Sequence, residues 1–186
     1  MSKQPPTSDL SSQPRTRLET ETGRSYMTIP WLVDQGFEGF IRFDAIPHEE
    51  VPTEDGVYAV VRESIHEPQF VVPGTGRKGS HYSLEVLQGA WVSEATILYF
   101  GKAQCKLGIY ERLDKYRRFG NGRRSGHSGG RAIWQLEDAQ DLKVCWLTTG
   151  NRDPIEEESS LIDLFKGIPE GPRPFANRID GKKTQE

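Results

Sequence analysis

Apolar residues recur along the middle of this chain with two periods. Val57-Tyr58-Ala59-Val60-Val61 is β-branched and short, follows the turn signals of Pro52 to Gly56, and predicts a strand. Alternation puts Val57, Ala59 and Val61 on one face of that strand and Tyr58 and Val60 on the other. Thr96-Ile97-Leu98-Tyr99-Phe100 predicts a second strand closed by Gly101, and Leu142 to Leu147 a third. Between them the period changes. Ile109, Leu113 and Tyr116 fall at i, i+4 and i+7, which predicts a helix over Leu107 to Phe119 ended by Gly120. A last helix begins at Asp153, a natural N-cap, with Pro154 at the first helical position and Glu156 placed for a capping box. Ile155, Leu161, Ile162 and Phe165 form its apolar stripe, and Gly167 and Pro169 stop it. The pattern is that of a small α+β domain with three strands.

The last helix carries an anomaly. Glu156, Glu157 and Glu158 follow one another, and at roughly 100° per residue they point in three directions. With Ile155 at 0°, Glu158 falls near 300°, in the middle of the apolar stripe, while Glu156 faces water (roughly 100° per residue again). A carboxylate aimed at a core needs a cation, a hydrogen-bond network or a metal. A structural salt bridge satisfies that need as well as a functional site does.

The flanks lack such patterns. Residues 1–25 are rich in Ser, Thr, Pro, Gln and charge and are expected to be a disordered tail, as are residues 179–186. Ile29 to Phe43 is apolar and aromatic, and residues 26–53 are expected to hold a short helix or docking segment on the main body. Residues 62–94 show no clear period beyond a short helix near Leu84 to Leu87 and form a long insertion between the first two strands. No internal repeat is visible. Within that insertion Gly74-Thr75-Gly76-Arg77-Lys78-Gly79 lacks the Gly-Lys-Ser/Thr ending of a phosphate-binding P-loop.

Composition modifies this picture in three ways. At 186 residues the chain has room for one domain, and a mean hydropathy of -0.65 leaves part of it for tail and loop. No run is long and apolar enough to span a membrane and no secretory signal is visible, so a cytoplasmic location is expected. Cys105 and Cys145 stand too far apart for a metal pair and are read as two reduced buried thiols. Net charge is -3, which argues weakly against a nucleic-acid partner, but it is an average. From Tyr99 to Arg131 there are nine basic residues (Lys102, Lys106, Arg112, Lys115, Arg117, Arg118, Arg123, Arg124 and Arg131) against Glu111 and Asp114. Such a segment serves either as a polyanion-binding face or as an ordinary solvated helix face.

Taken in order, Gly56-Val57-Tyr58 on the first strand and Tyr99-Phe100-Gly101 on the second resemble the two tripeptides that name the GIY-YIG nuclease family. Tyr99-Phe100-Gly101-Lys102-Ala103 resembles the nuclease domain of the bacterial excision-repair incision subunit. So does Arg112 followed four residues later by Tyr116. Glu158-Ser159-Ser160-Leu161-Ile162 matches the family's helical glutamate, the same one picked out by helical geometry, and Asn177 stands where a late asparagine is common. Gly126 to Leu136 resembles a block in small bacterial proteins of the family. The resemblance spans roughly residues 54–178. It departs from the family in the separation of about forty residues between Tyr58 and Tyr99, in Phe100 replacing an aliphatic, and in three extra residues between Gly101 and Arg112.

The resemblance implies a mainly antiparallel three-stranded sheet flanked by helices, and a metal-dependent DNA endonuclease. RNA is left open as a substrate, and repair, restriction and defence roles are equally compatible. It also implies one Mg2+ (or Mn2+) held by Glu158 alone, with water and phosphate completing the shell. Tyr58 would be the general base, its pKa lowered by Lys102, Arg112 and the metal. Tyr99 would hold a phosphate oxygen or the attacking water, and Arg112 would offer a forked donor, with Lys102 and Tyr116 assisting. Lys106, Lys115, Arg117, Arg118, Arg123, Arg124 and Arg131 would contact the backbone. Taken singly, each tyrosine reads equally as a core residue and each cation as a surface charge. His127 is a candidate for proton transfer, a phosphate contact or a structural role beside Trp134. Asn177 is a candidate to orient Glu158, to touch substrate or to cap a turn. A protein that keeps the binding face but has lost turnover is the alternative.

Overall fold

A computed structural model describes residues 18–19, 25–71, 81–123, 130–167 and 169–178. Most of the expected N-terminal tail, the C-terminal tail, the Gly74 to Gly79 stretch, Arg124 and His127 lie outside the described residues. Leu18–Glu19 (β1) and Ser25–Tyr26 (β2) pair antiparallel within the segment expected to be a tail.

The core is an antiparallel sheet of four strands: Glu38–Arg42 (β3), Gly56–Val61 (β4), Ile97–Ala103 (β5) and Lys143–Thr148 (β6), in the order β3-β6-β4-β5. Helices Ile29–Asp34 (α1), Leu84–Ala90 (α2), Gly108–Gly120 (α3) and Pro154–Lys166 (α4) flank it. The fold is α+β, with the three expected strands in place and α2 inside the long connection between β4 and β5. No described helix is long and apolar enough to cross a membrane.

α1 supplies the short helix expected in the docking segment, which also holds a fourth strand and a 3-10 turn, Phe43–His48, that the expectation lacked. β3 hides from a periodic reading because it is a bulged edge strand. Gly39 pairs with Cys145 and Ile41 with Val144, leaving Phe40 unpaired at φ 54. The Trp146 ring covers Gly39, where a Cβ would collide with it.

Gly101 does not close β5, which runs on to Ala103. It pairs with Tyr58 across the ladder, and a Cβ there would strike the Tyr58 ring, so the glycine makes room for a neighbouring side chain. A register shift in β5 opposite Val60 and Val61 puts Ile97 with the α4-side core while Leu98 and Tyr99 join the α3-side core. The outer edge of β5 is covered. Ala176 N donates to Leu98 O at 2.8 Å, and the Asn177 carboxamide both accepts from Phe100 N and donates to Phe100 O at 2.9 Å.

Two apolar cores result. On one face Tyr58, Val60, Tyr99, Val144 and Trp146 pack under α3. On the other Val57, Ala59, Phe100 and Cys145 pack under α1 and α4. Asp153 caps α4 by accepting from Ile155 N, and Gly167 closes it at φ 70. The first turn of α3 has no side-chain cap. Its Ile109 and Tyr110 N–H groups donate to Glu54 O and Pro52 O, each at 2.9 Å. Both cysteines are free thiols. Cys145 is buried as expected, but Cys105 is only half-buried.

Candidate active site

β4, β5 and α3 bring three tyrosines together. Tyr58 and Tyr99 have ring centroids 5.9 Å apart, Tyr58 and Tyr116 6.3 Å, and Tyr99 and Tyr116 5.9 Å. Centroid spacings of this order are those of mutually tilted aromatic pairs. Tyr58 and Tyr116 are fully buried and Tyr99 is 5% exposed. Tyr116 donates its hydroxyl to Gly130 O, and that glycine lies so close over Tyr116 and Tyr99 that a Cβ would not fit.

Arg112, on α3, belongs to the same face. Its Nε and the Tyr58 hydroxyl are both buried and make no hydrogen bond of good geometry among the described residues, yet the Tyr58 hydroxyl lies within side-chain hydrogen-bonding reach of the Arg112 guanidinium and of Tyr99. Buried polar groups held in such loose contact are uncommon. The Arg112 charge nonetheless acts on both Tyr58 and Tyr99.

Burial outweighs that charge. It pushes the Tyr58 phenol up to about 12, against the pull of Arg112, and the Glu158 charge adds to the rise. Tyr99 is raised by burial, then by Tyr58 and Glu158, and Tyr116 is raised by burial and its two tyrosine neighbours. The expected lowering by Arg112 is present, but burial decides the net direction. In the folded protein all three phenols hold their protons firmly.

Glu158 is turned inward, as the helical geometry of α4 requires, and is 8% exposed. Its Oε2 accepts from Lys102 Nζ at 2.5 Å. Lys102 pairs across the ladder with Val57, so it and Glu158 occupy the α4 face of the sheet, while the phenols and Arg112 occupy the α3 face. The inward carboxylate therefore has a cation, and its charge still reaches Tyr58 and Tyr99.

The remaining candidates divide. Asn177 is taken up by the Phe100 backbone and makes no contact with Glu158. On α3, Lys115 pairs with Glu111 at 2.5 Å, Arg117 with Asp114 at 2.6 Å and Arg118 with Asp114 at 3.8 Å, so much of the helix's basic charge is locally balanced. Lys106 and Arg123 are exposed. Arg131 lies over the Tyr82 ring. A sequence reading passes over Gly130 and Gln135. Gly130 follows glycine-rich chain with nothing to mark its contact with the phenols. Gln135 is buried and exchanges two hydrogen bonds with the Tyr82 backbone.

For a metal, the donor set is narrow. No group of three or more His, Cys, Asp or Glu is placed to hold an ion among the described residues. What remains is one carboxylate, of which one oxygen is engaged by Lys102. Its chemistry fits a hard, hydrated dication that takes few protein ligands. No family model, curated protein or solved structure matches the chain.

Proposed function

We propose that this protein is a DNA endonuclease of the GIY-YIG type. The observation that carries the reading is convergence. Tyr58, Tyr99, Arg112 and Tyr116, from two strands and one helix, cluster on the α3 face of β4 and β5, and the Lys102–Glu158 ion pair lies on the opposite face with its carboxylate charge still reaching Tyr58 and Tyr99. Chance surface charges and core tyrosines would be scattered.

The roles differ from those the resemblance implies in one respect. A phenol raised to about 12 donates a hydrogen bond and does not accept a proton near neutrality. Tyr58 and Tyr99 are therefore assigned as donors to phosphate oxygens or to the attacking water. Arg112 supplies a planar fork for the phosphate, and its Nε makes no hydrogen bond of good geometry to another side chain among the described residues. Glu158 would hold Mg2+ or Mn2+, sharing its carboxylate with Lys102, and such an ion lowers the pKa of water and offsets charge on the phosphate. Lys102 orients the carboxylate.

Nicking of supercoiled plasmid tests this. Open circles should form with Mg2+, and neither in EDTA nor with Glu158→Ala. Plasmid left intact under every condition, or cut equally by Glu158→Ala, overturns the reading.

A second reading, a nuclease-like binding protein without turnover, is favoured by the burial of all three phenols and by the prior claim of Lys102 on Glu158. It predicts retarded DNA mobility in gels with no nicking in Mg2+.

A further inference from the structure

The long connection between β4 and β5 brings Tyr82 to the start of the 3-10 turn Arg131–Gln135 and to the end of the described chain. Two guanidiniums lie over its ring, that of Arg131 at 4.7 Å from the centroid and that of Arg178 at 5.0 Å. Each is within reach of a cation–aromatic attraction. They also repel one another, since their separation is at most about the 10 Å screening length of 0.1 M salt.

Among the described residues no carboxylate pairs with either. Arg62 has Asp138, Arg117 has Asp114 and Lys102 has Glu158. Among the described residues Arg131 and Arg178 have no ion pair, and Arg131 Nε is buried with no hydrogen-bond partner. Two unneutralised cations on one ring are a standing cost that an anion would relieve.

The arrangement is held from beneath. The buried Gln135 carboxamide accepts from Tyr82 N at 2.8 Å and donates to Tyr82 O at 2.9 Å. Asn177, next to Arg178, is fixed in the same way on Phe100. Arg131 follows Gly130, which touches Tyr116 and Tyr99. The cation pair therefore begins one residue from a glycine that contacts the phenol cluster.

We infer that Arg131, Tyr82 and Arg178 form a phosphate-binding track for the nucleic-acid backbone flanking the phosphodiester at the phenol cluster. This assignment rests on the nuclease reading. It also gives the insertion a role, because Tyr82 gathers two arginines from distant parts of the chain. Arginine suits the track because its flat fork both stacks on the ring and meets phosphate oxygens.

Binding of a labelled oligonucleotide to the full chain in EDTA, followed by fluorescence anisotropy across salt concentrations, tests it without cleavage. Arg178→Ala and Tyr82→Ala should each weaken binding several-fold. Arg178→Ala should also flatten the slope of log affinity on log salt by about one. Arg178→Lys should recover the slope but not the full affinity. Arg152→Ala, which alters an exposed pair with Glu157, should bind as the unmodified chain does. Arg178 is exposed, so the test stands even if Arg131→Ala fails to fold. Unchanged affinity and slope in Arg178→Ala and Tyr82→Ala overturns the inference, as does an unmodified chain that binds no oligonucleotide. Weakened binding by these variants in a protein that does not nick plasmid leaves the track standing and removes the hydrolase. Nicking at full rate by variants that bind normally does the reverse.

Discussion

The two faces of the sheet are built from different chemistry. Under α4 the packing is almost wholly apolar: Val57, Ala59, Phe100, Leu161, Ile162 and Phe165, with Lys102–Glu158 as a paired charge at its margin. Under α3 the core includes three phenols, and two buried donors, Tyr58 Oη and Arg112 Nε, make no hydrogen bond of good geometry among the described residues, although Tyr58 lies within reach of Arg112 and Tyr99. An apolar face gains from every methylene it buries. Buried donors held in poor hydrogen-bond geometry contribute less than well-made bonds, so this face is not built for stability alone. The contrast teaches where to look: damage under α4 should register as lost stability, and damage under α3 as lost function.

The largest expected effect breaks the apolar side. Phe165→Ala leaves a cavity under α4 and should cost about 3–5 kcal/mol, measured by urea denaturation; a loss below about 1 kcal/mol would mean that α4 does not anchor the sheet as described. Next comes a contact within the α3 face. Gly101→Ala should cost about 1–3 kcal/mol by overpacking the Tyr58 ring. In a Tyr58→Ala background most of that cost should vanish, and a double-mutant cycle with no coupling would refute the close approach.

The third prediction uses pH. The folded Tyr58 phenol is raised to about 12 from an ordinary value of 10.0, so above pH 10 the unfolded chain releases its proton first. The unfolded state then binds fewer protons, and stability falls as pH rises from 10 to 12. Tyr58→Phe should flatten that part of the profile, and a profile identical to that of the unmodified chain would contradict the assigned burial. The smallest effect is the most discriminating. At pH 7 Tyr58→Phe removes a buried hydroxyl that makes no hydrogen bond of good geometry among the described residues, so stability should change by no more than about 1 kcal/mol. Nicking should nonetheless be lost. A variant that is as active as the parent would make Tyr58 a core residue like those on the opposite face.

Much of this was legible in one dimension because helices and strands report their buried face through local period. Asp153 and Gly167 delimit α4, Ile109, Leu113 and Tyr116 mark the inner face of α3, and the 100° step of an α-helix turns Glu158 inward before any partner is known. What the residue order could not supply were relations between segments far apart in sequence. Glycine at 39 and an unpaired Phe40 conceal β3 from any alternation pattern. The bulge in β5, the engagement of Glu158 by Lys102 and of Asn177 by Phe100, and the gathering of Arg131 and Arg178 on Tyr82 arise only when strands and loops pack. The phenol pKa belongs to that second class. Residue identity brings cations near Tyr58, but burial decides the direction of the shift, and burial is a property of the assembled core.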